Sequence, residues 1–197
     1  MASGSSSDLV ALIVVDVQKA IDDPSWGDDR NNPDCESNIA RLLAFFRDRG
    51  LPIFHVRHLS REPDSTYRPN QPLCQFKDEV APLRGERIVD KSANSAFIGT
   101  TLERELRDAG IQRVVIAGVI TNNSVEATVR MSGNLGFDTI VVSDATATFG
   151  KRDFDGNWRT SAEVHAMSLA NMSGEYAAVR STTEVIDALQ LYSVSAS

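Results

Sequence analysis

Six short apolar runs recur along the chain, and stretches of helical spacing lie between them. Leu9 to Asp16, LVALIVVD, is nearly continuous in apolar residues and ends in an acid, the pattern of a strand buried on both faces of a parallel sheet. Pro52 to Val56, Arg87 to Asp90, Val114 to Ala117, Thr139 to Val142 and Tyr176 to Val179 read as the remaining strands. After the first run, Pro33 opens a helix with Asn32 as its N-cap. That helix buries Ile39, Leu42, Leu43 and Phe46 and ends at Gly50. Thr100 with Glu103, Thr160 with Glu163 and Ser181 with Glu184 predict capping boxes for three further helices, the last running to about Leu191. Another helix spans Asn123 to Leu135 and is closed by Gly136.

Strands that alternate with helices predict an α/β fold, a three-layer, doubly wound, Rossmann-like parallel sheet of about six strands. The proline-bearing segment from Ser60 to Gly85 lacks periodicity and reads as a long ordered loop of the kind that often carries function. Asp144 to Arg159 reads as a second loop. The expected organisation is a flexible leader over 1–8, one domain over 9–191 and a tail over 192–197.

Composition narrows the function classes. The 197 residues are 42% hydrophobic and 24% charged, with a net charge of −7, which disfavours a general nucleic-acid surface. No apolar run is long enough to span a membrane. Cys35 and Cys74 are too few for a disulfide framework and fit a reducing, cytoplasmic compartment.

The candidate chemistry collects at strand ends. Asp16 follows the first strand, Lys91 the third, and Ser124 lies just past the central one. In an open α/β sheet these carboxyl ends share one crevice. An acid, an amine and a nucleophile there suggest nucleophilic catalysis, while an ion pair beside a helix cap is the bland alternative. His55 and His58, three apart at a strand end, point to opposite faces and make poor ligands for one ion. His165 stands in a helix with no evident partner. These three read as structural, and no metal or cofactor is expected. Gln18 can approach the nucleophile or serve as a structural hydrogen-bonding group. Phe154 and Trp158 are candidate lids.

Three separated stretches, LIVVDVQ (Leu12 to Gln18), DKSANSAF (Asp90 to Phe97) and GVITNNSVEATVR (Gly118 to Arg130), resemble the isochorismatase-like cysteine hydrolase superfamily, with SDATATF (Ser143 to Phe149) as a fourth. That superfamily includes nicotinamidases and N-carbamoylsarcosine amidase. The resemblance implies the isochorismatase-like hydrolase fold and a triad of aspartate, lysine and cysteine that falls on Asp16, Lys91 and Ser124. It further implies a cis peptide at Val119–Ile120 and an oxyanion hole from the Ile120 and Ser124 amides. The implied activity is hydrolysis of a small amide, carbamoyl or ureido compound without a cofactor, in a homo-oligomer. Isochorismatase-type vinyl-ether hydrolysis and a non-catalytic binder of small molecules are the alternatives.

Serine stands where the superfamily has cysteine. A helix N-terminus lowers a thiol pKa and favours a thiolate, but it does little for a far less acidic hydroxyl. The expectation is a chain slow or inactive toward amides. Three origins fit Ser124: an engineered replacement that traps substrate, a natural serine in an active variant, or a naturally inactivated site. The cysteine-type residues around it favour the first. On the substrate side, Trp26 and Arg30 are expected to cover a ring and pair with a carboxylate, Phe97 to wall the pocket, and Asn94 to hydrogen-bond substrate.

Overall fold

The computed structural model describes residues 9–194. In chain order its elements are β1 (Val10–Val15), α1 (Cys35–Asp48), β2 (Ile53–His58), β3 (Arg87–Lys91), α2 (Leu102–Asp108), β4 (Arg113–Val119) and α3 (Glu126–Asn134), then β5 (Asp138–Ala147), β6 (Lys151–Arg152), β7 (Trp158–Arg159), α4 (Ser161–Met172), β8 (Ala178–Arg180) and α5 (Thr182–Val194). The expected leader over 1–8 lies outside the described residues. Of the expected tail, residues 192–194 continue α5 and the rest also lies outside.

The six-stranded sheet has the order β3-β2-β1-β4-β5-β8 and every pairing in it is parallel. Strand alternation divides β1 between two cores. Val10, Leu12 and Val14 pack with Ile39, Leu42 and Phe46 of α1 and Val185 of α5. Ala11, Ile13 and Val15 pack on the other face with Leu102 and Leu106 of α2, Val129 of α3 and Met172 of α4. Both faces are thus covered, which is why β1 is apolar at every position. The fold is the predicted three-layer α/β architecture.

Successive strands run outward from β1 in one direction and from β4 in the other, so the order reverses between β1 and β4. A crevice opens at the carboxyl ends of strands at such a switch point. The two strands approach closely there: a Cβ on Gly118 (φ +130°) would stand 2.1 Å from the Val15 carbonyl oxygen, so only glycine fits.

Several local expectations are corrected. Asn32 does not cap α1, whose N-cap is Asp34. Asn32 adopts φ 46° and donates through Nδ2 to the Ser143 and Thr146 carbonyls (2.8 and 2.6 Å), so tertiary bonds outcompete the cap. Thr100 and Glu103 form no capping box. The N-cap of α2 is Thr101, and the Thr100 hydroxyl donates instead to the Ala96 carbonyl (2.6 Å). The boxes at Thr160–Glu163 and Ser181–Glu184 are present. The strand expected to end at Val142 continues as β5 to Ala147, and the expected loop beyond it folds into the β6–β7 hairpin. Among the described residues no helix is long and apolar enough to cross a membrane, and both cysteines are free and buried.

Candidate active site

The site is built from chain ends that the switch point brings together. After β1 the backbone turns through the left-handed region at Asp16 (φ 56°), a conformation that costs a non-glycine residue about 1 kcal/mol and that aspartate tolerates better than most. The turn leaves the carboxyl group facing the crevice, 3% exposed. On β3, Lys91 is paired in register with His58 of β2, so both stand at strand ends beside Asp16. Past β4, the Val119–Ile120 peptide is cis and residues Thr121–Val125 form one π-helical turn that leads into α3. Ser124 lies in that turn, buried.

The Lys91 ammonium is the hub. Its Nζ donates to Asp16 Oδ2 (2.7 Å), to the Ala93 carbonyl (3.1 Å) and to Ser124 Oγ (3.3 Å), and it lies 3.3 Å from His58 Nδ1. Asp16 Oδ1, in contrast, is buried with no hydrogen-bond partner among the described residues. Burial pushes the Asp16 carboxyl above its usual range, against the opposing pull of Lys91 and of the Ser124 hydroxyl. Burial, reinforced by the Lys91 charge, pushes the His58 imidazole down to about 4, so His58 is neutral at physiological pH and can accept from Lys91 through Nδ1.

Surrounding bonds hold these groups in place. The Gln18 amide donates to the Cys74 and His58 carbonyls (2.8 and 3.0 Å) and accepts from the His58 N–H (2.7 Å). It thereby ties the loop after β1 to the end of β2 and to the long loop beyond. The turn that carries Ser124 is braced from α4. Thr121 Oγ1 lies 2.9 Å from His165 Nδ1, and the Ser168 hydroxyl donates to the Thr121 carbonyl at 3.2 Å. His165 is therefore not partnerless, as its sequence context suggested.

A cavity of about 330 Å³ opens onto this cluster, within the range of small-molecule sites. Asp16, Ser124 and Ile120 line its floor, with Trp26, Asn94 and His58 around them. Trp26 stacks on Phe149 (centroids 5.5 Å apart) and donates its indole N–H to the Ala20 carbonyl (2.9 Å), so its ring is fixed as a wall. Two expected substrate residues are not brought to the cavity. Arg30 pairs with Glu36 (2.8 Å), which occupies its charge, and Phe97 is buried against Phe137 in the core under α2 and α3. Phe154 and Trp158 are exposed on and beside the β6–β7 hairpin and also stand outside the lining.

Two contributors were missed from the sequence. His58 obeys the same rule that selects Asp16 and Lys91, a polar residue at the carboxyl end of a strand, and that signal was available. Asp64 to Tyr67 also line the cavity, from the long loop after β2. Apart from the length of that loop, nothing in the sequence marks them.

The model of the Isochorismatase domain matches residues 10–184. The isochorismatase family protein YrdC of Bacillus subtilis is 44% identical over 177 residues, covering 90% of this chain and 94% of its own. A solved isochorismatase-family structure from Chromobacterium violaceum superposes with a TM-score of 0.89 at 52% identity over 97% of both chains. A cysteine hydrolase from Pseudomonas syringae superposes at 0.84 with 26% identity, covering 93% of each chain. More distant relatives include nicotinamidase 3 of Arabidopsis thaliana, 24% identical over 87% of this chain and 84% of its own, and the ureidoacrylate amidohydrolase RutB of Klebsiella pneumoniae, 38% identical over 39% of this chain and 32% of its own. By sequence along nearly its whole length and by fold, this chain belongs to the isochorismatase family of hydrolases.

Proposed function

We propose that the chain hydrolyses the C–N bond of a small amide, carbamoyl or ureido compound, with Asp16 as base, Lys91 as the cation that orients it, and position 124 as nucleophile. The carrying observation is the unpartnered, buried Oδ1 of Asp16 beside Ser124. A buried acceptor left open is rare in a folded chain, and here it lies where a nucleophile's proton must go. Burial, which raises the affinity of this carboxylate for a proton, makes it a better base than an exposed aspartate.

In this reading Asp16 Oδ1 takes the nucleophile's proton as Oγ, or Sγ in a cysteine form, bonds to the carbonyl carbon. The developing oxyanion is met by the Ile120 and Ser124 amides, which act without reorganisation. Asp16 then returns its proton to the departing nitrogen, and later activates water to release the acyl group. The relatives named for nicotinamide and ureidoacrylate support the amide class. With serine at position 124 the attack is slow, because no group at the site supplies a base strong enough to ionise an alcohol.

The test is ammonia or amine release from a panel of small amides by the chain as it stands and by Ser124→Cys. We expect the cysteine form to gain turnover of at least one amide. A folded Ser124→Cys protein with no gain on any of them would count against the reading. Vinyl-ether hydrolysis is the second reading. It is favoured by the absence of a thiol and by a buried carboxyl group suited to donating a proton, and it would yield pyruvate instead of ammonia.

A further inference from the structure

The charges around the cavity are unevenly committed. Five cations on the segments around the cavity are paired with carboxylates: Lys91 with Asp16, Arg30 with Glu36, Lys77 with Asp22 and Glu36, Arg57 with Asp90, and Lys19 with Asp78. Arg61 and Arg68 are exposed and do not line the cavity, and Arg68 donates to the Pro63 carbonyl (3.2 Å). The Lys91 side chain is fully buried behind Asp16. No free cation therefore faces a bound molecule among the described residues.

The anions differ. Asp64 lines the cavity from the long loop, is exposed, and has no hydrogen-bond or ion-pair partner among the described residues; the neighbouring Arg68 guanidinium is held on the Pro63 carbonyl instead of on this carboxylate. Asp16 Oδ1 is a second open acceptor, on the floor. Aromatic rings packed edge to face line the same cavity. The Trp26 and Tyr67 rings are 6.5 Å apart with an interplanar angle of 86°, and His58 meets Tyr67 at 5.7 Å and 78°. Trp26 and Tyr67 line the cavity together with the exposed Asp64, and aromatic rings beside a carboxylate favour a small organic cation.

We propose that the substrate carries a positive charge, an ammonium or guanidinium group placed a few bonds from the scissile carbonyl, and that Asp64 selects for it at the mouth. This rests on the amide-hydrolase reading. With the carbonyl carbon at Ser124, the rest of the molecule extends past Trp26 and Tyr67 toward Asp64. An anionic substrate meets no free cation there and a repelling carboxylate. An enolpyruvyl ether, which necessarily carries a carboxylate, meets the same repulsion.

Three amides of matched length separate the possibilities: 4-aminobutanamide, butanamide and succinamate, which are cationic, neutral and anionic. Calorimetric binding to the chain with Ser124 should rank them in that order. The cation is expected to bind at least about tenfold more tightly than the anion, and that ratio should shrink toward unity in Asp64→Asn and at high salt. Succinamate binding as well as or better than 4-aminobutanamide would overturn the proposal. So would binding by none of the three, or a ratio unmoved in an Asp64→Asn protein that melts normally. Ammonia release by Ser124→Cys is read separately. If the ranking holds without turnover, the hydrolase reading fails while charge selection stands. Turnover that favours succinamate leaves hydrolysis intact and removes charge selection.

Discussion

Two buried carboxylates of this chain, Asp16 and Glu36, are 3% and 8% exposed and each is paired with a cation, yet their environments push them in opposite directions. Glu36, in the first turn of α1, meets two cations, Arg30 at 2.8 Å and Lys77 at 3.0 Å. Burial alone would raise its pKa, but the Arg30 charge and the Lys77 bond together hold it below the usual carboxylate range. Asp16 meets one cation, and burial wins. Cation count separates the two, together with the deeper burial of Asp16. A carboxylate matched by two cations is locked as an anion and holds structure, whereas one matched by a single shared ammonium keeps an open oxygen and an appetite for a proton.

The most direct way to break this contrast is to remove each carboxylate and measure turnover. In the Ser124→Cys background, Asp16→Asn should lower amide turnover by about 10²- to 10⁴-fold, the usual worth of a general base. Glu36→Gln should leave turnover per folded molecule within about threefold. Equal losses in the two variants would mean that the open oxygen carries no special role.

Stability should show the reverse ranking. Glu36→Gln leaves the Arg30 guanidinium without its anion while Lys77 keeps Asp22, so the cost should fall at or below the low end for a broken buried pair, about 2–3 kcal/mol in chemical denaturation. Asp16→Asn leaves the fully buried Lys91 ammonium without its anion, but relief of a carboxylate whose ionised form the fold disfavours offsets part of that cost, so its loss should be the smaller of the two. An equal or larger loss in Asp16→Asn would show that the Lys91 pair holds the fold as well as the site.

How far this contrast was legible in the sequence depends on which interactions are local. The sheet was, because a strand covered on both faces must be apolar throughout, as Leu9 to Val15 is. Asp16, Lys91 and Ser124 were legible as polar residues at strand ends, since topology alone brings those ends together. The Glu36 cluster was not: Arg30, Glu36 and Lys77 come from three segments, and Arg30 read alone looks like a free charge able to greet a substrate. Asp64 and Tyr67 were hidden because a loop without periodicity gives no face assignment. The Asn32 cap failed for a related reason, since two long-range carbonyls claim its side chain.

The pH dependence of unfolding separates the carboxylates further, with opposite signs. Glu36 has a folded pKa below its ordinary 4.5, so its stabilisation is present above that value and is lost as pH falls through the lowered one. Asp16 has a folded pKa above its ordinary 3.8. Its contribution favours the fold most at low pH and is lost as pH rises through the raised value. His58 adds a third slope. Its folded pKa of about 4 lies below 6.5, the unfolded state binds more protons in between, and stability falls as pH drops from 6.5 toward 4. Comparing denaturation from pH 3 to 8, Glu36→Gln and His58→Asn should each flatten the acid-side loss, while Asp16→Asn should steepen the net rise toward neutrality. A shared sign for Asp16→Asn and Glu36→Gln would contradict the opposed environments.

The smallest expected effect is also the sharpest test of the stoichiometric argument. Lys77→Met removes one of the two cations from Glu36 and keeps an apolar stem of similar length. The stability change should be modest, about 1 kcal/mol, because Lys77 is partly exposed and Arg30 remains. The Glu36 carboxyl, however, should move up on a carbon-detected NMR titration, crossing from below its ordinary value toward the raised condition of Asp16. Burial at Glu36 is unchanged by the substitution, so any upward movement measures the second cation directly. If Glu36 remains depressed with Arg30 alone, then cation count does not distinguish the two sites. The difference would then lie in burial and geometry: Asp16 is the more deeply buried and sits on a left-handed turn at the switch point, where no described residue donates to one of its oxygens.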